Sequence, residues 1–243
     1  MNGTSGIDEQ QAAARAGEPP EAYWGARAAE YNEFIVRVVP HYTEMLTRLL
    51  EYVPAAAARV LELGTGTGNV SLKLAARWPD ARFTFVDAAP EMLHVTRQRL
   101  RSEAPDVAER ASFLALRFEE LQLEPRSVDV AVASLSLHHV ENVGAVYTRI
   151  APALAGGGRL IMLDGVRGET NVEQAVHSAR WHAYWHAPGN LSDEEIRDVA
   201  EHVERHDHYR SLNEHFDLLE SAGFAYADCV WRDGLFALLT AAA

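Results

Sequence analysis

Short apolar runs alternate with amphipathic stretches through the middle of the chain, and this alternation predicts an α/β sheet. The runs lack a polar face, as is typical of parallel strands that are covered on both sides. The predicted strands are Val60–Leu63, Arg82–Val86, Ser112–Leu116, Val128–Ala133 and Arg159–Leu163. The predicted helices between them are Asn69–Trp78, Pro90–Arg101 and Val143–Leu154. This order indicates a doubly wound, Rossmann-like sheet.

The C-terminal part of the chain breaks that alternation. Ser211–Ala222 has helical spacing and is stopped by Gly223. Two further apolar runs, Tyr226–Arg232 and Leu235–Leu239, are joined by Asp233-Gly234, a strong hairpin signal. We therefore expect a seven-stranded, mostly parallel sheet that ends in an antiparallel hairpin.

Five segments follow from this pattern. Residues 1–20 are rich in Gly, Ala, Glu and Pro and predict a disordered tail. Two helices, Glu21–Tyr31 and Pro40–Tyr52 with Pro40 in its first turn, form an N-terminal segment, 21–58. The segments that follow are the core, 59–166, an insertion, 167–210, with helices Val172–Trp185 and Ser192–Val203, and the C-terminal segment, 211–243.

A glycine-rich loop follows the first strand. Gly64, Gly66 and Gly68 leave bare backbone for a ligand, and Asp87, at the end of the second strand, is placed to bind a ribose diol. A dinucleotide fingerprint requires its third glycine where this chain has Asn69. Glu62 would also repel a pyrophosphate. The loop therefore favours a nucleoside without phosphate.

The run from Glu62 to Gly68 resembles motif I of class I S-adenosylmethionine (SAM)-dependent methyltransferases. The resemblance implies SAM as cofactor, with the loop along its methionine part, Asp87 on the ribose, Phe118 at the adenine and Ser134 beside the sulfonium. It also implies a lid from the N-terminal helices and a substrate side from the insertion. The cofactor-binding residues expected in the core are Gly64, Thr65, Gly66, Gly68, Asp87, Ala88, Met92, Phe118 and Ser134.

Three stretches, 39–42, 211–215 and 219–224, are similar to the carboxy-SAM synthase branch. By that match Tyr42 touches the cofactor. Those enzymes hold the extra carboxylate with an arginine in the insertion, but Val199 lies near the matching place and Arg197 is out of register. Ordinary SAM is therefore expected. Many relatives bind the adenine amino group with an aspartate where this chain has Arg117, so Glu119 and Glu120 are the candidate replacements.

Histidines of the second half are the candidate bases. His138, just after the fourth strand, is the first candidate, since an ordinary imidazole pKa of about 6.5 suits proton removal at neutral pH. His182 and His208 are further candidates, each weighed against a surface role. His182 and His186 are spaced to share a helix face, as are His202 and His206, but no metal site is expected. The candidate walls of a substrate pocket, weighed against a role in the core, are Tyr23, Trp24, Trp181, Tyr184 and Trp185.

Composition and charge limit the classes of molecule that the protein is expected to bind. The net charge is −13, from 35 acidic and 22 basic residues, which disfavours direct nucleic-acid binding. One cysteine, Cys229, excludes an intrachain disulfide. There is neither a basic, apolar leader nor a run of about twenty apolar residues, so a cytoplasmic protein with no membrane association is expected.

These observations predict an enzyme that transfers a methyl group from SAM to an oxygen, nitrogen or carbon of a small molecule. The sequence leaves a homodimer open. Three alternatives are a carboxy-SAM synthase-like enzyme for tRNA modification, a nicotinamide-dependent oxidoreductase and a non-catalytic SAM-binding protein. The oxidoreductase is opposed by the position of Gly68 and by the terminal hairpin.

Overall fold

Seven strands form one sheet in a computed structural model that describes residues 19–243. Most of the predicted tail, residues 1–18, lies outside the described residues. The strands are β1 (Arg59–Leu63), β2 (Arg82–Asp87), β3 (Ser112–Ala115), β4 (Val128–Ser134), β5 (Leu154–Gly165), β6 (Tyr226–Asp233) and β7 (Phe236–Ala242). Their order across the sheet is β3-β2-β1-β4-β5-β7-β6.

The register of the central strands brings their carboxyl ends to one edge. Leu63, the last residue of β1, lies beside Val86 of β2 and Ala133 of β4, and all three strands are parallel. At the other side, β7 runs antiparallel between β5 and β6. The predicted fold class is confirmed, and the common edge is where parallel α/β sheets bind ligands.

Ten helices longer than a single turn occur within residues 19–243. They are α1 (Pro20–Ala26), α2 (Tyr31–Val38), α3 (Tyr42–Tyr52), α4 (Asn69–Arg77), α5 (Pro90–Glu103), α6 (Pro105–Arg110), α7 (Val143–Ala153), α8 (Asn171–Trp185), α9 (Asp193–His206) and α10 (Leu212–Ser221). In this described part of the chain, no helix is both long and apolar enough to cross a membrane.

Apolar side chains cover both faces of the sheet. Val60 of β1 packs in one cluster with Leu74 of α4, whereas its neighbour Leu61 packs in another with Ile150 of α7. Successive strand residues point to opposite faces, so a strand covered on both sides must be apolar at every position. This explains the continuous apolar runs.

Three local predictions were wrong. The predicted helix Glu21–Tyr31 stops at Ala26, and the unpredicted α2 follows it. The next helix begins at Tyr42 rather than Pro40, because His41 has a left-handed backbone with φ of 56° that interrupts the helix. The fifth strand begins at Leu154 rather than at the predicted Arg159, and its register against β4 shifts between Val128 and Val130.

Candidate functional site

A cleft of about 1220 Å³, its open mouth included, lies at the carboxyl ends of the central strands. The glycine loop lines one end, and residues of the insertion line the other. The cleft therefore extends from the glycine loop to the insertion. The predicted residues that line it are Tyr23, Trp24, Gly64, Gly66, Asp87, Ala88, Met92, Phe118, Ser134, His138 and Trp181.

Asp87 is held by backbone amides at the end of β2. The amide of Gly66 donates to its Oδ2 at 2.7 Å, and the amide of Ala89 donates to its Oδ1 at 2.9 Å. Burial raises the pKa of Asp87 to about 6, although these two bonds oppose the rise. At neutral pH the carboxylate is therefore ionised, with further lone pairs free to accept two hydroxyl groups.

The floor of the cleft joins the loops after β1 and β4. Gly64 has a φ of +70°, and a Cβ there would lie 2.1 Å from the Cβ of Ser136. Ser136 in turn donates through Oγ to the carbonyl of Leu63 at 2.9 Å. Below the loop, burial raises the pKa of Glu62 to about 8, although a hydrogen bond from Ser71 opposes the rise. Only a glycine at position 64 permits the backbone there to lie so close to Ser136.

Three predicted cofactor residues lie behind the loop rather than on the cleft. Thr65 is buried, and its Oγ1 donates to the carbonyl of Val86 at 3.2 Å. Gly68 is the N-cap of α4. The hydroxyl of Tyr42 accepts from Nδ2 of Asn69 at 3.1 Å. None of these three residues is among those that line the cleft. Their contacts instead support the glycine loop from behind.

The predicted adenine end contains Phe118, Arg117 and Glu119. The guanidinium of Arg117 binds a protein carboxylate rather than a ligand, because its Nη2 donates to Oε1 of Glu21 at 2.7 Å. Glu120 accepts from the amide of Arg117 at 3.0 Å and so caps its own turn. Of the two candidate replacements for the missing aspartate, Glu119 is the one that faces the cleft.

His138 lies at the opposite end, on the turn after β4. Its Nδ1 bonds to Oδ1 of Asp164, a buried residue near the end of β5. Oδ2 of Asp164 also accepts from the amides of Leu137, at 2.8 Å, and His138, at 3.2 Å. Burial alone would lower the pKa of His138, but Asp164 and Asp207 raise it to about 9. The expected base with an ordinary pKa is therefore an imidazolium at neutral pH.

Oδ1 of Asp207 lies among three imidazoles. It is 2.9 Å from Nδ1 of His139 and 3.8 Å from Nε2 of both His138 and His202. Burial alone would raise the pKa of Asp207, but His138 and His139 hold it well below its usual range. Burial, with His139 nearby, lowers the pKa of His202 to about 3. The cluster thus combines an ionised carboxylate and the protonated His138 with the neutral imidazoles of His139 and His202.

The other predicted histidines lie outside the cleft. His182 is exposed on α8, as is His186 just beyond it. His208 does not line the cleft, and its backbone amide donates to the carbonyl of His138 at 2.6 Å. Of the two predicted helical pairs, only His202 joins the cluster. The spacing along one helix therefore did not identify the histidines that meet.

The predicted aromatic residues divide between the cleft and the core. Tyr23, Trp24 and Trp181 line the cleft. Trp185 is buried in the core and donates to the carbonyl of Val38 at 2.9 Å. The hydroxyl of Tyr184 donates to the carbonyl of Val36 at 2.6 Å, outside the cleft. The expected pocket role of Tyr184 and Trp185 is therefore wrong, since both join α8 to α2.

Sequence reasoning missed several residues that line the cleft, which are Tyr31, Ser136, His139, His202, Asp207 and Tyr209. Asp207 and Tyr209 lie in the link after α9, where a polar stretch has no periodicity to show which side chains turn inward. His139 was visible beside His138, but only the fold shows that both rings approach Asp207. These residues come together through tertiary structure rather than through a local motif.

A family model described as a methyltransferase domain matches residues 61–160. A carboxy-S-adenosyl-L-methionine synthase from Chromohalobacter salexigens is 31% identical over 202 residues, which cover 80% of this chain and 73% of that relative. A phosphoethanolamine N-methyltransferase from Haemonchus contortus, solved with S-adenosylhomocysteine, has a TM-score of 0.57 at 21% identity, over 77% of this chain and 38% of its own. A possible histamine N-methyltransferase from Thermotoga maritima has a TM-score of 0.62 at 16% identity, over 92% and 99% of the two chains.

Proposed function

Because this chain belongs to the class I SAM-dependent methyltransferases and is related to carboxy-SAM synthases, we propose that it methylates a small molecule. The cofactor is SAM. The observation that carries the proposal is one cleft with two chemically different ends, a glycine loop with Asp87 and a polar, aromatic end with His138. A cofactor and an acceptor can therefore meet in it.

We assign the cofactor to the glycine-loop end. There, the backbone at Gly64 and Gly66 lies along the methionine part, and Asp87 accepts from the ribose hydroxyls. Phe118 packs on the adenine, Ala88 and Met92 complete that wall, and Ser134 lies beside the sulfonium. Because the sulfonium already activates the methyl group, the protein needs chiefly to align the acceptor and to exclude water.

The acceptor is assigned to the other end, between the insertion and α1. Tyr23, Trp24 and Trp181 supply apolar surface there, and Asp207 supplies negative charge. An aromatic-lined cleft suits a small molecule, and the net charge of −13 opposes nucleic acid. Aromatic faces also stabilise a sulfonium or an amine by cation–π attraction.

A carboxy-SAM synthase-like activity is the second candidate, favoured by the 31% identical relative. The charges of this cleft oppose it. Among the described residues that line it, Arg117 is the only arginine, and its guanidinium is bound to Glu21. Val199 also lines the cleft, whereas Arg197 is exposed. A second carboxylate on the cofactor would thus lie near Asp207, where the His138 imidazolium is already paired with Asp164 and Asp207.

Mass spectrometry of the nucleoside retained by the purified protein tests the choice. We expect SAM or S-adenosylhomocysteine, and S-adenosylhomocysteine should accumulate when a panel of small amines, alcohols and thiols is added with SAM. A retained nucleoside heavier by one carboxylate would favour the second candidate. SAM binding with no turnover on any acceptor would favour a non-catalytic role.

A further inference from the structure

Four side chains at the acceptor end of the cleft converge on one polar centre. His138 and His139 come from the turn after β4, His202 comes from α9, and Asp207 follows directly after that helix. Donor atoms of His138, His139 and Asp207 all lie within 4.8 Å of one another. His202 adds Nε2 at 3.8 Å from the same carboxylate oxygen. Two separate parts of the sequence thus meet at Oδ1 of Asp207.

Four buried polar atoms at this centre have no hydrogen-bond partner within residues 19–243. Both ring nitrogens of His202 are buried and have no hydrogen-bond partner among the described residues, and the side chain is only 4% exposed. Oδ1 of Asp207 and Nδ1 of His139 also have no hydrogen bond that meets the geometric criteria, although they lie 2.9 Å apart. Buried polar atoms are nearly always paired, so an unpaired group of this size indicates a bound species.

We propose that this cluster is a binding site for one divalent transition-metal ion, with His138, His139, His202 and Asp207 as its protein ligands. Imidazole nitrogen and carboxylate oxygen are ligands that such ions prefer. Donor separations of 2.9 and 3.8 Å bracket the value of about 3.3 Å that tetrahedral metal–nitrogen bonds of about 2.0–2.1 Å require. To close the site, the donors of His138, His139 and Asp207, now within 4.8 Å of one another, must draw together and His202 must follow. His138 must also release its Nε2 proton when the ion binds.

Asp164 supports this assignment from behind the cluster. It bonds to Nδ1 of His138, so Nε2 of that ring is the atom directed at Asp207. Metal-binding histidines commonly give their second nitrogen to a carboxylate, which fixes the orientation of the ring. Oδ2 of Asp207 is also fixed, because it accepts from the hydroxyl of Tyr209 at 2.6 Å. Both ligands are thus oriented before an ion binds.

Metal binding has a consequence for α1. The indole Nε1 of Trp24 donates to Nε2 of His139 at 3.2 Å, so that nitrogen carries no proton. When an ion occupies Nδ1 of His139, the proton of the neutral ring must move to Nε2. The indole then loses its acceptor and must shift. Trp24 is therefore expected to report metal binding by its fluorescence.

The role of the ion rests on the proposed function, although its binding does not. An acceptor hydroxyl or thiol that coordinates the ion would have a lowered pKa and release its proton to water. Its lone pair would form the bond to the methyl carbon, and the carbon–sulfur bond of SAM would break with its electron pair on sulfur. The substrate class assigned is thus a small molecule with a hydroxyl or thiol that can bind a metal.

Titration of chelator-treated protein with Zn²⁺ and Co²⁺ tests the site. We expect one ion per chain by calorimetry, a visible Co²⁺ spectrum with nitrogen ligation and a change in fluorescence that is absent from Trp24→Phe. Asp207→Asn and, as a second ligand variant, His202→Gln should weaken binding at least about 100-fold. His182→Ala, at an exposed histidine, is the control and should bind normally.

The same titrations separate this inference from the proposed function. Asp87→Ala should lose SAM binding and keep the metal, whereas Asp207→Asn should lose the metal and keep SAM. No stoichiometric binding of either ion, or equal binding by wild type and both ligand variants, would overturn the metal site. Failure of SAM binding alone would overturn the proposed function and leave the metal site standing.

Discussion

Single residues of the glycine loop have different surroundings. A Cβ added at Gly64 would meet Ser136 of the neighbouring loop, whereas a Cβ added at Gly66 would meet nothing within 4 Å. Both have positive φ, which disfavours any side chain by about 1–2 kcal/mol. Position 64 therefore serves packing, and position 66 leaves space at the face of the cleft.

Alanine at these two positions should have different effects. Gly64→Ala should destabilise the protein by at least about 2 kcal/mol, because both strain and collision oppose it. Gly66→Ala should cost about 1–2 kcal/mol from strain alone but weaken SAM binding at least about tenfold. Urea unfolding and calorimetry measure the two effects. Equal losses of stability in the two variants would contradict this difference.

Glu62 should make stability depend on pH. Burial raises the pKa of Glu62 in the folded protein to about 8, above its value in the unfolded chain. The folded state therefore binds the proton more tightly, and protonation of Glu62 contributes to the free energy of unfolding. This contribution is present in full below the unfolded pKa and is lost as pH rises through 8, at up to about 1.4 kcal/mol per pH unit. Urea unfolding between pH 6 and 9 should show a flatter dependence for Glu62→Gln. Glu109→Gln, at an exposed glutamate, should keep the wild-type slope; identical slopes in all three proteins would exclude Glu62 as the cause.

At the scale of elements, α1 lies across the cleft and contacts both the core on one side and α9 on the other. Glu21 binds Arg117 of the core, and Trp24 donates to His139. On the other side, Arg27 pairs with Asp198 of α9. Since α1 lines the cleft through Tyr23 and Trp24, we expect these contacts to slow the exit of a ligand beneath it.

Removal of the tie to α9 should therefore speed cofactor release. We expect Arg27→Ala to raise the dissociation rate of SAM at least about threefold with a smaller effect on association. Stopped-flow displacement measures both rates. Arg48→Ala removes an exposed arginine of α3 that, within residues 19–243, pairs only with Glu44 and Glu51, and it serves as the control. Unchanged release from Arg27→Ala would show that α1 does not restrict exit.

Elements differ in how far the sequence predicts them. The core strands were predictable because burial on both faces forces continuous apolar runs, as in β1 and β4. The break between α1 and α2 was not, because it falls inside one helical pattern, and the left-handed His41 has no local signal. Likewise Gly68 and Asp87 were visible as a motif, whereas the approach of Asp207 to His138 depends on how α9 packs.

At the scale of the whole molecule, the sheet order places the glycine loop, the turn after β4 and the end of β5 along one edge. The insertion and α1 then enclose that edge to form a single cleft. This topology separates a cofactor end from an acceptor end. The proposed function requires that SAM occupy the cofactor end.

Calorimetric titration with SAM at pH 7.5 tests that claim most directly. Wild type and Asp80→Ala, a control at an exposed aspartate, should bind one SAM per chain and ignore NAD. Asp87→Ala should bind SAM at least about tenfold more weakly, a loss of about 1.4 kcal/mol from the missing ribose contacts. Binding of NAD by the wild type, or an unchanged SAM affinity in Asp87→Ala, would contradict the account.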